Sequence, residues 1–392
     1  MDFTEVDGLA EHRREARAWV ERHVDAAWAE QQRVSGSYHT PALHALLAEQ
    51  GWLGAGWPAE YGGTDNSPDL AAALFEEIEA AGLHLDGWIT TRMISSTLLH
   101  AGTEEQKRTY IGGALRGEVL IVLGYTEPDC GSDVAAARTR AERDGGDWRI
   151  NGQKMFTSTA HMASHVFMLT RSNPDVAKHN GLTMFLVPLD DPGVEIRPIR
   201  TLGGQRTNAT FYADVRVPDS ARVGPVDGGW GVMHVALVFE RSGGGSRRPG
   251  PTLAEQVARW AQRTRRDDGT LVYDDPAVRD RLARIAIEAE VSRLLGIRTA
   301  WVAATGGLPG TEGSAAKLFS SESAQRQHWD LLDILGADAV LAREAADAPL
   351  GARVEEAFRR GVVGTIYGGS TEIMREIVAE RVLGLPRARA RN

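Results

Sequence analysis

Two stretches of this 392-residue chain combine small residues, hydroxyls and an aromatic ring in a way that suits a flat cofactor with polar edges. One is Gly124-Tyr-Thr-Glu-Pro-Asp-Cys-Gly-Ser-Asp-Val134, the other Ile150-Asn-Gly-Gln-Lys-Met-Phe-Thr-Ser-Thr159. Further along, Glu240-Arg241 follows the apolar run Val235-Ala-Leu-Val-Phe239, which favours burial of the carboxylate, and Gly364-Thr-Ile-Tyr-Gly-Gly-Ser-Thr-Glu-Ile-Met-Arg375 breaks at paired glycines. Each stretch also has a plainer reading. Thr126-Glu127-Pro128 reads equally as a strand end and turn, because proline blocks a ladder hydrogen bond and Asp-Cys-Gly-Ser is loop-like. Glu240 reads equally as a surface glutamate at a helix end. Cys130, with no His or Lys nearby in sequence, reads as a small packed residue rather than a nucleophile.

These residues need elements to position them. Apolar spacing predicts helices over Ala16 to Trp28 and Leu43 to Leu53, and Leu70 to Ala81 is rich in helix formers. Gly51 to Gly63 is too interrupted by Gly and Pro to be a continuous element and reads as a loop. Thr103-Glu-Glu-Gln106 has the form of a capping box opening a helix towards Leu115. From about Val119 the pattern changes to short β-type runs, at Val119 to Leu123, His165 to Thr170, Leu182 to Val187 and Thr210 to Val217. Asn151-Gly152 between two such runs predicts a hairpin turn, since both residues tolerate positive φ. After Gly228-Gly-Trp-Gly231 the chain turns helical again, and Ile287, Val291, Leu294, Arg298 and Trp301 recur at helical spacing within Val278 to Val302.

Composition narrows the function classes. The length predicts two or three domains and a large core. A formal net charge of -9 opposes general attraction to nucleic acid or anionic lipid. A single cysteine excludes an intramolecular disulfide and a multi-cysteine metal site, so no metal is expected and a reducing cytoplasm is the simplest compartment. Met1-Asp-Phe-Thr-Glu lacks the look of a signal peptide, and no apolar run approaches the roughly 20 residues needed to span a bilayer.

Taken in order, the two cofactor-type stretches, Val238-Phe-Glu-Arg241 and Gly364 to Arg375 resemble four signatures of the acyl-CoA dehydrogenase family. The resemblance implies an α+β fold, with an N-terminal helical domain over 1–118, a central antiparallel β domain over 119–228 and a C-terminal helical domain over 229–392. It implies noncovalent FAD, with Tyr125 and Thr126 touching the flavin ring, Phe156 packed against it, Thr157 beside it and Ser158 bonded near N5. Tyr367, Ser370 and Glu372 belong to a second cofactor segment, while Ser132 and Arg241 fall along the acyl-CoA path. Phe156 stands where tryptophan is common, keeping an aromatic face but losing the indole donor.

The expected chemistry is removal of an α-proton by a carboxylate while a hydride leaves the β-carbon for the flavin, giving a trans-2-enoyl-CoA. The family's commoner base position is Gly368 here, so the resemblance assigns the base to Glu240, the position used by some members with branched or long substrates. Gly368 would open space near the α-carbon and offer its backbone N–H to the thioester oxygen, implying a bulky, long or branched acyl group. Electrons would pass to an electron-transfer flavoprotein or equivalent. Two family segments that hold the far end of FAD across a subunit contact have only rough counterparts, Arg263-Thr-Arg-Arg-Asp-Asp-Gly269 and Asp333-Ile-Leu-Gly-Ala337. Asp333 would repel a pyrophosphate placed close to it. Ser242 to Pro251, rich in Gly and Pro, predicts an interruption just after the base. Some bacterial members, including ones acting on steroid side-chain CoA esters, pair two homologous chains, so both a homo-oligomer and a hetero-oligomer fit. The rival readings are an acyl-CoA oxidase or flavin monooxygenase on the same fold and, outside enzymes, a homologous subunit of a hetero-oligomeric dehydrogenase or a nucleic-acid-binding relative, against which Glu240 and the acidic balance weigh.

Overall fold

The structure, a computed structural model, describes residues 8–242, 252–305 and 311–386, apart from the side chains of 240–242, 303 and 304. Of these, residues 8–239 form one compact unit, and those from Glu240 onward another.

The first unit begins with helices. The expected run from Ala16 to Trp28 is split into α1 (Leu9–His23) and α2 (Ala26–Ser35). Asp25 causes the split, because its carboxylate accepts the Ala27 N–H at 2.8 Å and starts a new helix. Next come α3 (Pro41–Glu49), α4 (Pro68–Ala80) and α5 (Asp86–Ala101), with short 3₁₀ turns in the Gly51 to Gly63 loop. Arg17 on α1 and Glu77 on α4 pair at 3.0 Å. The capping box forms as expected at the start of α6 (Glu104–Gln106), but the helix widens into a π turn over Lys107–Ile111 before α7 (Gly112–Leu115). Gln106 is pinned at that point, donating to the Ser220 and Arg222 carbonyls at 2.7 and 2.8 Å.

The sheet carries eight strands, β1 (Ile121–Gly124), β2 (Arg140–Asp144), β3 (Asp147–Lys154), β4 (His165–Arg171), β5 (Leu182–Pro188), β6 (Val194–Arg200), β7 (Arg206–Pro218) and β8 (Arg222–Val223). Its order is β6-β7-β3-β2-β4-β5-β8, with β1 parallel to β4 and most other pairs antiparallel. Thr91 of α5 anchors β1, its hydroxyl accepting the Ile121 N–H at 2.8 Å while donating to the Gly87 carbonyl at 2.7 Å.

The hairpin expected at Asn151-Gly152 is not there. Strand β3 runs straight through both residues, and the turn lies instead between β2 and β3, at Gly145 and Gly146. Asn151 faces a bulge in β7, where Asp214 sits at φ 51, and its amide side chain exchanges hydrogen bonds with Asp214 at 2.9 and 3.0 Å. Gly152 is needed for a different reason than a turn, since a Cβ there would lie 2.7 Å from Thr139. Helix α8 (Gly229–Ser242) follows the sheet and buries Val232, Met233 and Ala236 in the core shared with the N-terminal helices.

The second unit consists of α9 (Leu253–Ala261), α10 (Pro276–Ala304), α11 (Thr311–Leu335), α12 (Arg353–Gly364) and α13 (Thr371–Arg381). Its core gathers Val257, Val278, Ile285, Leu331, Leu335 and Val354. The stripe read from α10 does not serve this core throughout, because Ile287 is 66% and Trp301 45% exposed. The interruption expected beyond Arg241 falls almost wholly on residues 243–251, outside the described residues, with α8 reaching Ser242. No helix among the described residues is long and apolar enough to cross a membrane.

Candidate functional site

The sheet brings the two cofactor-type stretches side by side. Strand β1 delivers Tyr125 and Thr126 at its C-terminal end, and the Met155 N–H donates to the Thr126 carbonyl at 2.8 Å. One residue later the backbone of Phe156 adopts φ 60, in the left-handed region, and presents a ring that is 60% exposed. A bulky residue in that conformation costs roughly 1–2 kcal/mol, and such strain concentrates at ligand sites. Neighbouring bonds hold it. Thr157 N–H donates to the Asn208 carbonyl at 2.9 Å, and the Asn208 amide returns a bond to the Thr157 carbonyl, also at 2.9 Å.

Within this cluster the roles of the side chains divide. Ser158 is exposed, with its hydroxyl 3.0 Å from that of Thr207. Thr157 is fully buried and shares a hydrogen bond with Thr210, so its side chain faces the interior. An exposed aromatic face, an exposed hydroxyl and the half-exposed Tyr125 and Thr126 suit a flat ring with a polar edge. His161 lies behind them, bonded to Ser37 at 2.8 Å. Burial, then Arg206 and Arg200, lower its pKa to about 4 and keep it neutral near pH 7.

A charged pair underlies the same residues. Lys154 is fully buried, and its ammonium lies 2.7 Å from the Glu127 carboxylate and 3.2 Å from the Tyr125 carbonyl. Glu127 also accepts the backbone N–H groups of Arg138 at 2.7 Å and Thr139 at 2.9 Å. Burial pushes the Glu127 carboxyl up, but Lys154 and these donors outweigh it and hold the group below its ordinary value. Burial lowers the Lys154 ammonium against the pull of Glu127. Cys130 is buried, and burial, then Glu127, raises its thiol pKa, which fits a packed residue. Ser132 is exposed on the loop after β1, next to Asp133, which pairs with Lys178 at 2.8 Å.

In the second unit, Tyr367 is 62% exposed and lies on the turn between α12 and α13, with the Lys317 ammonium 5.0 Å from its ring centre. Lys317 also donates to the Gly364 carbonyl at the end of α12. Gly368 and Gly369 have φ 65 and 87, a conformation that glycine adopts without Cβ strain. Ser370 caps α13 by accepting the Ile373 N–H at 3.4 Å, and Glu372 is exposed in the first turn. Glu240 and Arg241 occupy the last turn of α8, and their side chains lie outside the described residues. Asp333 is neutralised within its own unit by Arg281 at 3.1 Å. Arg259 and Arg263, exposed one turn apart on and just after α9, line a groove of about 310 Å³ with Trp260 and Leu350. Among the described residues no cluster suits a metal ion.

Sequence reasoning missed Asn208, Thr207, Lys154 and Glu127. A signal for Lys154 existed, because it shares strand parity with buried Trp148 and Ile150, which places a lysine on the inward face and calls for a buried carboxylate. Asn208 gave no such signal.

Comparison with known proteins extends these observations to the whole chain. Sequence profiles of the acyl-CoA dehydrogenase N-terminal, middle and C-terminal domains match residues 8–118, 122–215 and 227–383. Acyl-CoA dehydrogenase FadE26 of Mycobacterium tuberculosis is 35% identical over 369 residues, covering 91% of each chain. Acyl-CoA dehydrogenase IpdE1 of the same organism is 34% identical, covering 97% of this chain and 99% of its own. Among solved structures, the Tcur3481-Tcur3483 steroid ACAD is 37% identical with TM-score 0.87, covering 99% of this chain and 100% of its own. A chain of the ChsE4-ChsE5 complex from Mycobacterium tuberculosis is 33% identical with TM-score 0.85 over the same shares.

Proposed function

The chain belongs to the acyl-CoA dehydrogenase family, and we propose that it uses FAD to desaturate an acyl-CoA thioester between the α and β carbons. The observation that carries this reading is the junction of Thr126 with Met155, which places an exposed, strained Phe156 beside Tyr125, Thr126 and Ser158. When bound, FAD supplies the acceptor for the hydride that leaves the β-carbon. Tyr125, Thr126, Phe156 and Ser158 hold its ring, with Thr157 and Asn208 fixing the backbone beneath. Arg259 and Arg263, exposed on their groove, are the candidates for the phosphates of an FAD held across a subunit contact. Tyr367, Ser370 and Glu372 complete the cofactor set, and Ser132 and Arg241 the acyl-CoA set.

Glu240 takes the α-proton, and the Gly368 N–H donates to the thioester oxygen. The acyl group is bulky, of the steroid CoA-ester kind, supported by the missing side chain at Gly368 and by likeness to a protein titled a steroid ACAD. The working form is an oligomer with itself or with a homologous chain. Exposed Ile287 and Trp301 on α10 support this, as does likeness to a chain of a two-protein complex. An electron-transfer flavoprotein or its equivalent takes the electrons.

The test is anaerobic bleaching of the flavin by a panel of acyl-CoAs, using the chain purified with any partner it requires. Yellow protein releasing FAD on denaturation, bleached fastest by bulky thioesters, is the expected result. Fully active protein without flavin would sink the assignment. Gly368→Ala should slow bulky substrates more than short straight ones, and an unchanged ranking would withdraw the bulky-acyl reading.

A further inference from the structure

We propose that Glu127, Lys154 and Arg171 form a positioning clamp that locks the cofactor-facing segments 125–126 and 155–158 to the substrate-side loop 128–137, so that flavin retention and acyl-CoA affinity stand or fall together. This rests on the dehydrogenase reading above.

The clamp has two jaws. Glu127 is 7% exposed and gathers three donors from two separate segments, namely Lys154 on β3 at 2.7 Å and the Arg138 and Thr139 N–H groups at 2.7 and 2.9 Å. Those two amides close the loop that carries Cys130, Gly131 and Ser132. Arg171, at the end of β4, grips the same loop through its carbonyls, donating to Ala137 at 3.2 Å and Ala135 at 2.5 Å. Its third nitrogen reaches the Lys178 carbonyl at 2.7 Å. Amides are therefore held by the anion and carbonyls by the cation.

Lys154 links this loop to the cofactor side. Its ammonium bonds both Glu127 and the Tyr125 carbonyl, and Met155, the next residue, bonds Thr126. Phe156 lies one residue further.

Stability alone does not account for the charges. A well-packed apolar pair is commonly as stable as a buried ion pair, or more so, because desolvation offsets the attraction. What a carboxylate adds is direction, since it accepts from several donors at fixed angles and registers three chain segments against one another. Ser132 and Phe156 lie on two of those segments, and that shared anchor is what couples the two ligands.

The experiment uses the full chain with any partner it requires, comparing wild type with Glu127→Gln, Glu127→Asp and Lys154→Met/Glu127→Gln. The double variant keeps the test alive if a lone buried charge prevents folding. Amide hydrogen exchange at Arg138 and Thr139 should speed up about ten-fold or more in Glu127→Gln and the double variant, with the β5 amides unchanged. Flavin dissociation constant and acyl-CoA KM should both rise by about ten-fold, while single-turnover flavin reduction at saturating substrate stays within about three-fold. Glu127→Asp, which keeps the charge, should recover part of each loss.

Unchanged exchange at Arg138 and Thr139 in a folded double variant would overturn the clamp. So would a fall in the reduction rate with KM and flavin affinity intact. A wild-type chain that takes up no flavin would instead sink the dehydrogenase reading, and the exchange data would still decide the clamp.

Discussion

The two compact units treat their candidate residues in opposite ways. Around the sheet, the exposed Phe156 rests on buried partners, with Thr157, Asn208, Thr210 and Lys154 fully enclosed and hydrogen-bonded. In the unit from Glu240 onward, Ile366 and Tyr367 are each 62% exposed on a turn with two left-handed glycines, and Trp329 is 56% exposed. The backbone of the sheet site is fixed by hydrogen bonds within its own unit. The helical unit leaves these large apolar side chains exposed, as residues that meet a partner commonly are. Affinity for the ring should therefore be set by the sheet, and proton chemistry, acyl selectivity and assembly by the helices.

The strongest way to break this division is Glu240→Gln. Loss of a general base should slow flavin reduction by about 10²- to 10⁴-fold, roughly 3–5 kcal/mol of barrier, while flavin content and acyl-CoA binding are retained. Stopped-flow bleaching with a separate binding titration checks it. A near-normal rate would place the base elsewhere.

Acid sensitivity of the first unit is the next test. His39 and His44 are buried, and none of their ring nitrogens has a hydrogen-bond partner among the described residues. Burial, followed for His39 by its neighbour His44, lowers their pKa values to about 3 and about 4. Above pH 6.5 both folded and unfolded forms are neutral there. As pH falls below 6.5 the unfolded chain takes up protons that the folded one refuses, so stability is lost progressively down to about pH 3–4. By pH 5 the loss is roughly 2 kcal/mol for each histidine. Denaturant melts from pH 8 to 5 should show it, and His39→Leu with His44→Leu should flatten the slope. An unchanged slope in that variant would mean that other groups govern acid sensitivity.

For assembly, Trp301→Lys should weaken self-association or partner binding by about 2 kcal/mol, near 30-fold in dissociation constant. Light scattering during gel filtration measures it, and an unaltered mass profile at low concentration would remove α10 from the interface. The smallest effect belongs to Phe156→Trp. The new ring keeps the aromatic face at the same left-handed position and adds a donor, so flavin affinity should change by less than about 1 kcal/mol. A large loss would show that the size of the side chain, rather than its aromatic face, sets this residue.

Much of this was legible in the chain. Helix and strand periodicity reproduced the helix, sheet, helix order, and the capping box at Thr103 and Gln106 formed as read, because both depend on local spacing and short-range bonds. The two stretches of cofactor type were picked out by residue type, and the backbone brings them into contact through Met155 and Thr126. Asn151-Gly152 was misread because its turn preference is local, whereas pairing of β3 with β7 and contact with Thr139 are long-range and prevailed. The helix over α10 formed as its periodicity predicts, but of the residues read as its stripe Ile287, Arg298 and Trp301 lie exposed, because periodicity cannot say what a face meets.

By itself the sequence determined the kind of elements, the family and the chemistry-bearing residue types, since these follow from composition, spacing and motif. Only the tertiary structure decided that Thr157 turns inward while Phe156 turns out, and that Asp333 is already paired with Arg281. It alone joined Glu127 to Lys154. Each of these depends on burial and on partners tens of residues away. Desolvation and long-range hydrogen bonds act on groups that neighbour one another in space, and a linear pattern does not encode that distance.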